Sequence, residues 1–428
     1  MIFSPNPYDE LPYKSCPIEW TAPERLVLAS LLHGGPRLLP ASYSVLELGC
    51  GNGANLLPLA YYRRHAAFVG VDGAESQIKV ALERKLALDL PNIEFIHADF
   101  LTAGQQLSGQ FDYIIAHGVF SWVPEDVRDA LLAVFAERLR PGGLLYLNYN
   151  TLPGWSVRGL VREFLIAQTD LKVSLRARAE YAKEIAAQVV AALTGVEHPY
   201  SQLLTKEFRF VQEGDVTWVG HEFLATDNHP YWRSEFLALA IRHGLEYVAD
   251  ADFNYPSGRI PQDLLPRLEV EQITGRCLED TVDLLCYRQL HSPILTPRPF
   301  HRRLPGCAEF ANLWVASCLE SCPAGDRTSN RMFKHPSGYE VEAKEDFMHR
   351  ALIQLRPLWP RGLRVAEAFT NVGQIEEDLR LLQRNGLLEL RCIEPGDFGV
   401  PSDTLNSLER HWGGYLTTPY HQTHRIVN

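Results

Sequence analysis

A doubly wound α/β fold on a mostly parallel sheet is what this sequence predicts, and three observations carry the prediction. Short apolar runs alternate with stretches of helical spacing from about residue 44 to residue 149. The runs are apolar throughout rather than at every second position, as strands covered on both faces must be. A glycine-rich turn, Gly49-Cys50-Gly51-Asn52-Gly53, joins the first run to the helix after it. Folds of this class place their ligand crevice at such a turn.

The elements follow in order. The first twenty residues are rich in Pro and Tyr and read as an extended arm. A helix is predicted from about Pro23 to His33, with proline at its start and Gly34-Gly35 at its end. Strands are predicted at Ser44–Leu48, Ala67–Val71, Ile93–His97, Phe111–Ala116 and Leu144–Tyr149, with helices to about Arg64, at Ala74–Leu90 and at Glu125–Leu139. Residues 155–195 keep helical spacing with no strand and read as a helical insertion over the sheet. Alternation resumes with a helix at Tyr231–His243 and strands at Leu245–Asp250 and Thr281–Tyr287. Pro293, Pro297, Pro299 and Pro305 mark residues 292–305 as a linker. A helix at Gln374–Asn385, a turn at Gly386 and a strand behind it suggest a small winged-helix-like C-terminal domain. It has no basic recognition helix. The expected division is 1–154 for arm and core, 155–225 for the insertion, 226–291 for the rest of the core, and 306–428 for the C-terminal domain.

Composition narrows the class. The chain has 428 residues, too many for one ordinary core. Hydrophobic residues make up 46% and charged residues 22%, the balance of a water-soluble globular protein. A net charge of −11 argues against bulk nucleic-acid binding, which needs a basic footprint. No apolar run is long enough to span a bilayer, and the first residues do not read as a secretory signal. The eight cysteines form no C-x-x-C pair, so no zinc or dithiol site is expected. A reduced, cytoplasmic setting fits these features best. Arg361–Arg364 and His421–Arg425 read as solvated surface.

By itself the glycine turn is ambiguous, because Gly49-x-Gly51-x-x-Ala54 also satisfies a dinucleotide fingerprint. Asp72, at the end of the second strand, would bind a ribose hydroxyl pair in either case. Three further features resolve it. Glu47 lies two residues before Gly49. Asp99 and Phe100 follow the third strand, where a carboxylate can accept the adenine amine and an aromatic ring can pack on the base. Leu139-Arg-Pro-Gly-Gly-Leu-Leu-Tyr leads into the fifth strand. In this order the set resembles the class I, Rossmann-like methyltransferases that use S-adenosylmethionine. The resemblance implies that Tyr8, Glu47, Gly49, Cys50, Gly51, Asp72, Asp99, Phe100 and His117 hold that cofactor.

A narrower resemblance rests on other strings. Tyr8-Asp-Glu-Leu-Pro-Tyr13-Lys-Ser15-x-Pro17, His117-Gly-Val-Phe-Ser-Trp122-Val-Pro124, Tyr149-Asn-Thr-Leu-Pro-Gly-Trp155 and His221-Glu-Phe-Leu224 are similar to segments of methyltransferases that carry a regulatory domain. Bacterial protein-lysine methyltransferases acting on outer-membrane proteins belong to that group. The likeness covers roughly residues 4–290. The arm departs from it at Ala22, where histidine is expected before the proline.

Methyl transfer is an in-line displacement in which the cofactor supplies the reactivity and the protein supplies alignment. His117, Tyr149, Asn150 and Tyr13 are the expected catalytic residues, because loops after the fourth and fifth strands border the crevice and the arm can close over it. An aromatic lining with Phe120, Trp122 and Trp155 would suit an ammonium-derived acceptor through cation–π contact. Glu222 and Asn228 could line the acceptor channel. The expected acceptor is a protein lysine. The alternatives are an amine-bearing small molecule, as in a biosynthetic enzyme, and a cofactor-binding scaffold without turnover. No metal is expected, and the oligomeric state is open.

Overall fold

The computed structural model describes residues 6–37, 40–252 and 275–322, most of 331–393, and the backbone of 415–417 and 423–425. After the short helix α1 (Pro7–Glu10) the arm runs extended to α2 (Pro23–Leu32). The core then alternates: β1 (Ser44–Leu48), α3 (Leu56–Tyr62), β2 (Ala67–Asp72), α4 (Glu75–Ala87), β3 (Ile93–His97), α5 (Phe100–Gln106), β4 (Phe111–Ala116), α6 (Glu125–Arg138) and β5 (Leu139–Leu147). The two-residue strand β6 (Tyr149–Asn150) leads into four insertion helices, α7 (Gly154–Gln168), α8 (Leu175–Ala192), α9 (Pro199–Glu213) and α10 (Val216–Leu224). The chain returns to the sheet through α11 (Arg233–Arg242) and β7 (Leu245–Asp250), then α12 (Gly275–Cys286), β8 (Leu290–His291) and β9 (Pro293–Pro297).

The seven-stranded sheet has the order β3-β2-β1-β4-β5-β9-β7. β1 to β5 pair in parallel, and β9 runs antiparallel between β5 and β7. Successive residues of these strands supply opposite faces, which is why the runs are apolar throughout. Val45, Tyr113, Ile115 and Tyr146 join Leu26, Leu57 and Ile78 in one core layer. Leu46, Ile114, Leu145 and Leu147 join Phe120, Leu132 and Phe236 in the other. The insertion has a third core of its own, with Val161, Leu165, Ala182, Phe208 and Phe223, into which the arm contributes Leu11.

Two predicted elements are corrected. Thr281–Tyr287 is not a strand but the end of α12. The run Val-Asp-Leu-Leu-Cys is too short for its periodicity to separate strand from helix. In the helix it buries Asp283 against His291 and leaves Leu284 and Leu285 half exposed. Nor are residues 292–305 a simple linker, because Pro293–Pro297 is the sheet's antiparallel strand. Its prolines sit at the two ends, where they cost the ladder least, and Ile294 and Leu295 are fully buried between the neighbours.

The C-terminal part follows through α13 (Cys307–Ala311), β10 (Trp314–Ala316), a hairpin of β11 (Glu320–Ser321), β12 (Met332–Lys334) and β13 (Glu340–Glu342), then α14 (Asp346–Leu355), β14 (Leu363–Arg364), α15 (Val365–Ala368), α16 (Val372–Arg384) and β15 (Glu389–Arg391). The three strands β14-β10-β15 form an antiparallel sheet. The expected helix at Gln374–Asn385 falls within α16, and the expected Gly386 turn lies outside the described residues. This part docks on α2, with Arg380 Nη1 donating to the Leu32 carbonyl at 2.8 Å. Arg364 is not simply solvated, since its guanidinium lies 4.5 Å over the Trp314 ring; the run His421–Arg425 falls largely outside the described residues. Among the described residues no helix is long and apolar enough to cross a membrane.

Two glycines of α7 provide a test of the packing. A Cβ on Gly154 would meet the Arg288 carbonyl oxygen at 2.1 Å, and backbone cannot step aside, whereas nothing lies within 4 Å of one on Gly159. We expect Gly154→Ala to lose about 1–3 kcal/mol in denaturant unfolding. Gly159→Ala should gain up to about 1 kcal/mol. Equal effects would contradict the packing.

Candidate active site

The carboxyl ends of β1, β2 and β4 open onto one crevice. Glycines are needed here: Gly49 and Gly51 take φ of +80° and +51°, and Cβ atoms on them would meet Val119 at 2.3 Å and Ser15 Oγ at 2.8 Å. The loop is pinned from β2, with Gly49 N–H and Cys50 N–H donating to the Val71 carbonyl at 2.8 and 3.1 Å. Gly51 N–H and Ala74 N–H donate to the two oxygens of Asp72, each at 2.8 Å. Burial raises the Asp72 pKa, while these two backbone donors oppose the rise. Cys50 turns its side chain under the loop toward Gly70, so only its main chain belongs to the crevice.

Glu47 is buried at the base. Its Oε1 accepts from Asn55 Nδ2 at 2.9 Å, and its Oε2 is buried without a partner. Burial pushes its pKa up to about 8, against the pull of Asn55 and helped by Asp72. Asn55 in turn accepts from Ile18 N–H at 2.9 Å, which ties the arm to the loop. Asp99 caps α5 by accepting from Thr102 N–H at 2.9 Å, leaving its second oxygen for a ligand. Phe100 lies between this cap and the glycine loop, its Cζ 3.8 Å from a Cβ placed on Gly49.

The arm crosses from this crevice to the insertion. Asn6 Nδ2 donates to the Gly73 carbonyl at 2.9 Å, and Asp9 accepts from Ser76 N–H at 2.8 Å. Tyr8 stacks on His221 with centroids 4.4 Å apart, and Tyr13 meets the same ring edge-on at 5.7 Å. His221 Nε2–H donates to the Leu11 carbonyl at 2.6 Å. Burial lifts both phenols to about 12, so they are neutral donors. Tyr13 keeps 39% of its surface exposed, which suits a covering position.

After β4, Gly118 N–H donates to Asn148 Oδ1 at 2.6 Å, and His117 Nδ1 lies 2.8 Å from the Tyr146 hydroxyl. Asn150 has its backbone held by Ser121 Oγ and Tyr231 N–H, each at 2.9 Å, while its Nδ2 is buried without a partner. Asn228 Nδ2 is in the same condition. Trp122 and Trp155 meet edge to face at 5.5 Å. Glu222 does not stand free, because Arg158 Nη1 donates to it at 3.1 Å.

Phe120 and Trp155, expected in the aromatic lining, are instead buried, and so is Tyr149, an expected catalytic residue. Adjacent strand residues face opposite ways, and the Tyr149 side chain is the one that enters the apolar core. It is 2% exposed and stacks on Phe236 at 4.1 Å. Not foreseen from the sequence are Tyr146, which contacts His117, and Trp20, which contacts Tyr146. Asn55, eight residues past Glu47, carries the one local signal for the contact, a polar side chain opening the helix after the glycine turn.

Comparison with known proteins agrees with this geometry. Residues 46–145 match the family model described as a methyltransferase domain. The uncharacterized protein RP789 of Rickettsia prowazekii is 33% identical over 291 residues, 68% of this chain, and the chain spans only 52% of that relative's length. Trans-aconitate 2-methyltransferase of Deinococcus radiodurans is 37% identical over 101 residues, 24% of this chain and 35% of its own. Residues 46–145 are thus a methyltransferase domain, on the Rossmann-like fold of the class I enzymes. The whole fold goes further: it is similar to PKMT2 from Rickettsia typhi, solved in complex with AdoHcy, with a TM-score of 0.75 over 90% of this chain and 78% of that one, at 22% identity.

The raised Glu47 carboxyl yields a prediction with a definite sign. Its folded pKa lies above its unfolded one, so its contribution to stability is whole below the ordinary carboxylate range and is lost as pH rises toward 8. Glu47→Gln cannot titrate. In the ligand-free protein its unfolding free energy relative to the parent, read by denaturant titration, should rise from about pH 5 to pH 8 and then level, a change on the order of a few kcal/mol. A difference that does not change with pH would contradict the burial of this group.

Proposed function

We propose that this chain is an S-adenosylmethionine-dependent methyltransferase whose acceptor is a lysine side chain of a protein. One observation carries the cofactor half: Glu47 Oε2, a buried acceptor with no partner, beside a glycine loop stripped of side chains. An amino-acid ammonium group would satisfy that oxygen, and buried polar groups are rarely left unpaired. Asp72 would hold the ribose, with Phe100 and the free oxygen of Asp99 at the adenine. Tyr8, Gly49, Gly51, the Cys50 main chain and His117 complete the lining. When bound, the cofactor supplies an activated methyl group, and the protein supplies alignment and exclusion of water.

The acceptor half rests on the insertion. The arm brings Tyr8 and Tyr13 to the mouth beside α10, an aromatic edge suited to an alkylammonium, while Trp155 and Trp122 are taken by Arg158 and Arg162, whose guanidinia lie 5.3 and 5.4 Å over their rings. Asn150 Nδ2 and Asn228 Nδ2 are buried donors awaiting acceptors, as backbone carbonyls of a bound peptide would provide. Residues 155–225 are therefore assigned to the acceptor side. Tyr13 serves as cover rather than as a base, since burial holds its hydroxyl proton tightly. The fold likeness to PKMT2, a protein lysine methyltransferase, supports this choice. The trans-aconitate enzyme shares only about the cofactor-binding quarter of the chain, so its acid acceptor is the weaker guide.

Incubation with labelled S-adenosylmethionine and lysine-rich proteins, followed by peptide mass mapping, tests the proposal. Label on lysine side chains is expected, with at least a tenfold loss of rate in Asn150→Ala if its amide holds the peptide. Transfer to small carboxylic acids and not to protein would overturn the acceptor assignment.

A further inference from the structure

Behind His117 lies a chain of buried hydrogen bonds. Trp20 Nε1–H donates to the Tyr146 hydroxyl at 2.8 Å, and that hydroxyl lies 2.8 Å from His117 Nδ1. Ser292 hydrogen-bonds the same oxygen. Tyr146 is fully buried and Ser292 nearly so, so each proton here needs an acceptor inside the protein.

Counting donors gives the chain a direction. An indole N–H can only donate, while a hydroxyl has one proton and two lone pairs. With Trp20 and Ser292 donating to Tyr146, the Tyr146 proton goes to His117 Nδ1 and every donor is satisfied. In the opposite arrangement His117 Nδ1–H donates to Tyr146 alongside Trp20, and the Tyr146 proton must turn to Ser292, whose own proton then needs an acceptor in turn. The first arrangement makes Nδ1 an acceptor, so the ring proton sits on Nε2. Burial lowers the imidazole pKa to about 4, which keeps the ring neutral at ordinary pH.

We propose that His117 is a fixed hydrogen-bond donor and not a base. Its Nε2–H serves the carboxylate at the amino-acid end of S-adenosylmethionine, and Trp20, Tyr146 and Ser292 are positioning residues that hold this tautomer. The assignment rests on the cofactor reading above. β4 pairs with β1 with Ile115 beside Glu47, so His117, two residues further on, lies at the Glu47 end of the crevice. An amino-acid zwitterion needs both partners there, an acceptor for its ammonium and a donor for its carboxylate. Glu47 Oε2 is the first and His117 Nε2–H the second. A lysine acceptor then loses its proton to some group other than His117.

Two measurements decide it. Nitrogen NMR of the ligand-free protein should show His117 as the neutral Nε2–H tautomer, changing toward a mixture in Tyr146→Phe; an Nδ1–H tautomer in the unaltered protein overturns the assignment. Calorimetric titration should show S-adenosylmethionine binding about tenfold or more weakly to His117→Asn, and largely restored by His117→Gln, whose amide N–H reaches the Nε2 position. Decarboxylated S-adenosylmethionine lacks the group in question, so the same variants should change its affinity by less than about twofold. Trp20→Phe should repeat the Tyr146→Phe result if that variant does not fold. Equal losses for both ligands would overturn the carboxylate contact. If the unaltered protein binds no S-adenosylmethionine, the cofactor reading fails first and this assignment with it. If it binds and the His117 variants bind as well, only this assignment fails.

Discussion

Two backbone N–H groups, from Gly51 and Ala74, converge on the carboxylate of Asp72 at 2.8 Å each. That contact joins the end of β2 to the turn after β1 and sets the floor of the crevice. It is possible only because β1 and β2 run in parallel register, Glu47 beside Gly70 and Leu48 beside Val71, so both strands end at the same edge. It also demands left-handed backbone at Gly49 and Gly51, which glycine alone adopts without strain. With the turn so fixed, Glu47 faces inward beneath it, and Asn55 is placed to hold one of its oxygens and to anchor the arm.

From this floor the rest of the site is assembled by three separate pieces of chain. The arm lies across Gly73 and Ser76 and reaches α10 by way of Tyr8 and Leu11, so one short segment touches both the core and the insertion. The insertion is a body with its own apolar core, which lets it add a wall without disturbing the sheet. The late strand β9 closes the sheet beside β5 and carries Ser292 just before it, against Tyr146. A buried polar chain from Trp20 to His117 thus depends on residues from the beginning, middle and end of the core.

Much of this was legible in the sequence because its signals are local. Five parallel strands, the glycine turn, Glu47, Asp72 and the position of Asp99 after the third strand are each announced by residues within a few positions of one another. The failures are of another kind. Pro293–Pro297 looks like a linker until one sees that its prolines occupy strand ends. Thr281–Tyr287 looks like a strand because four apolar residues carry no reliable period. Tyr149 was misassigned because strand parity decides which of two neighbours faces the crevice, and the sequence does not announce the parity. The partnership of Trp20 with Tyr146 spans 126 positions, and nothing short of the fold brings the two together.

The central claim is that the Asp72-anchored crevice is an S-adenosylmethionine site. Calorimetric titration of the purified protein, with NAD run in parallel and Asp72→Ala as the damaged variant, addresses it directly. The expected result is saturable binding of S-adenosylmethionine, none of NAD, and loss of the binding when Asp72 is removed. Binding of NAD in its place, or binding of S-adenosylmethionine that survives Asp72→Ala unchanged, would contradict it.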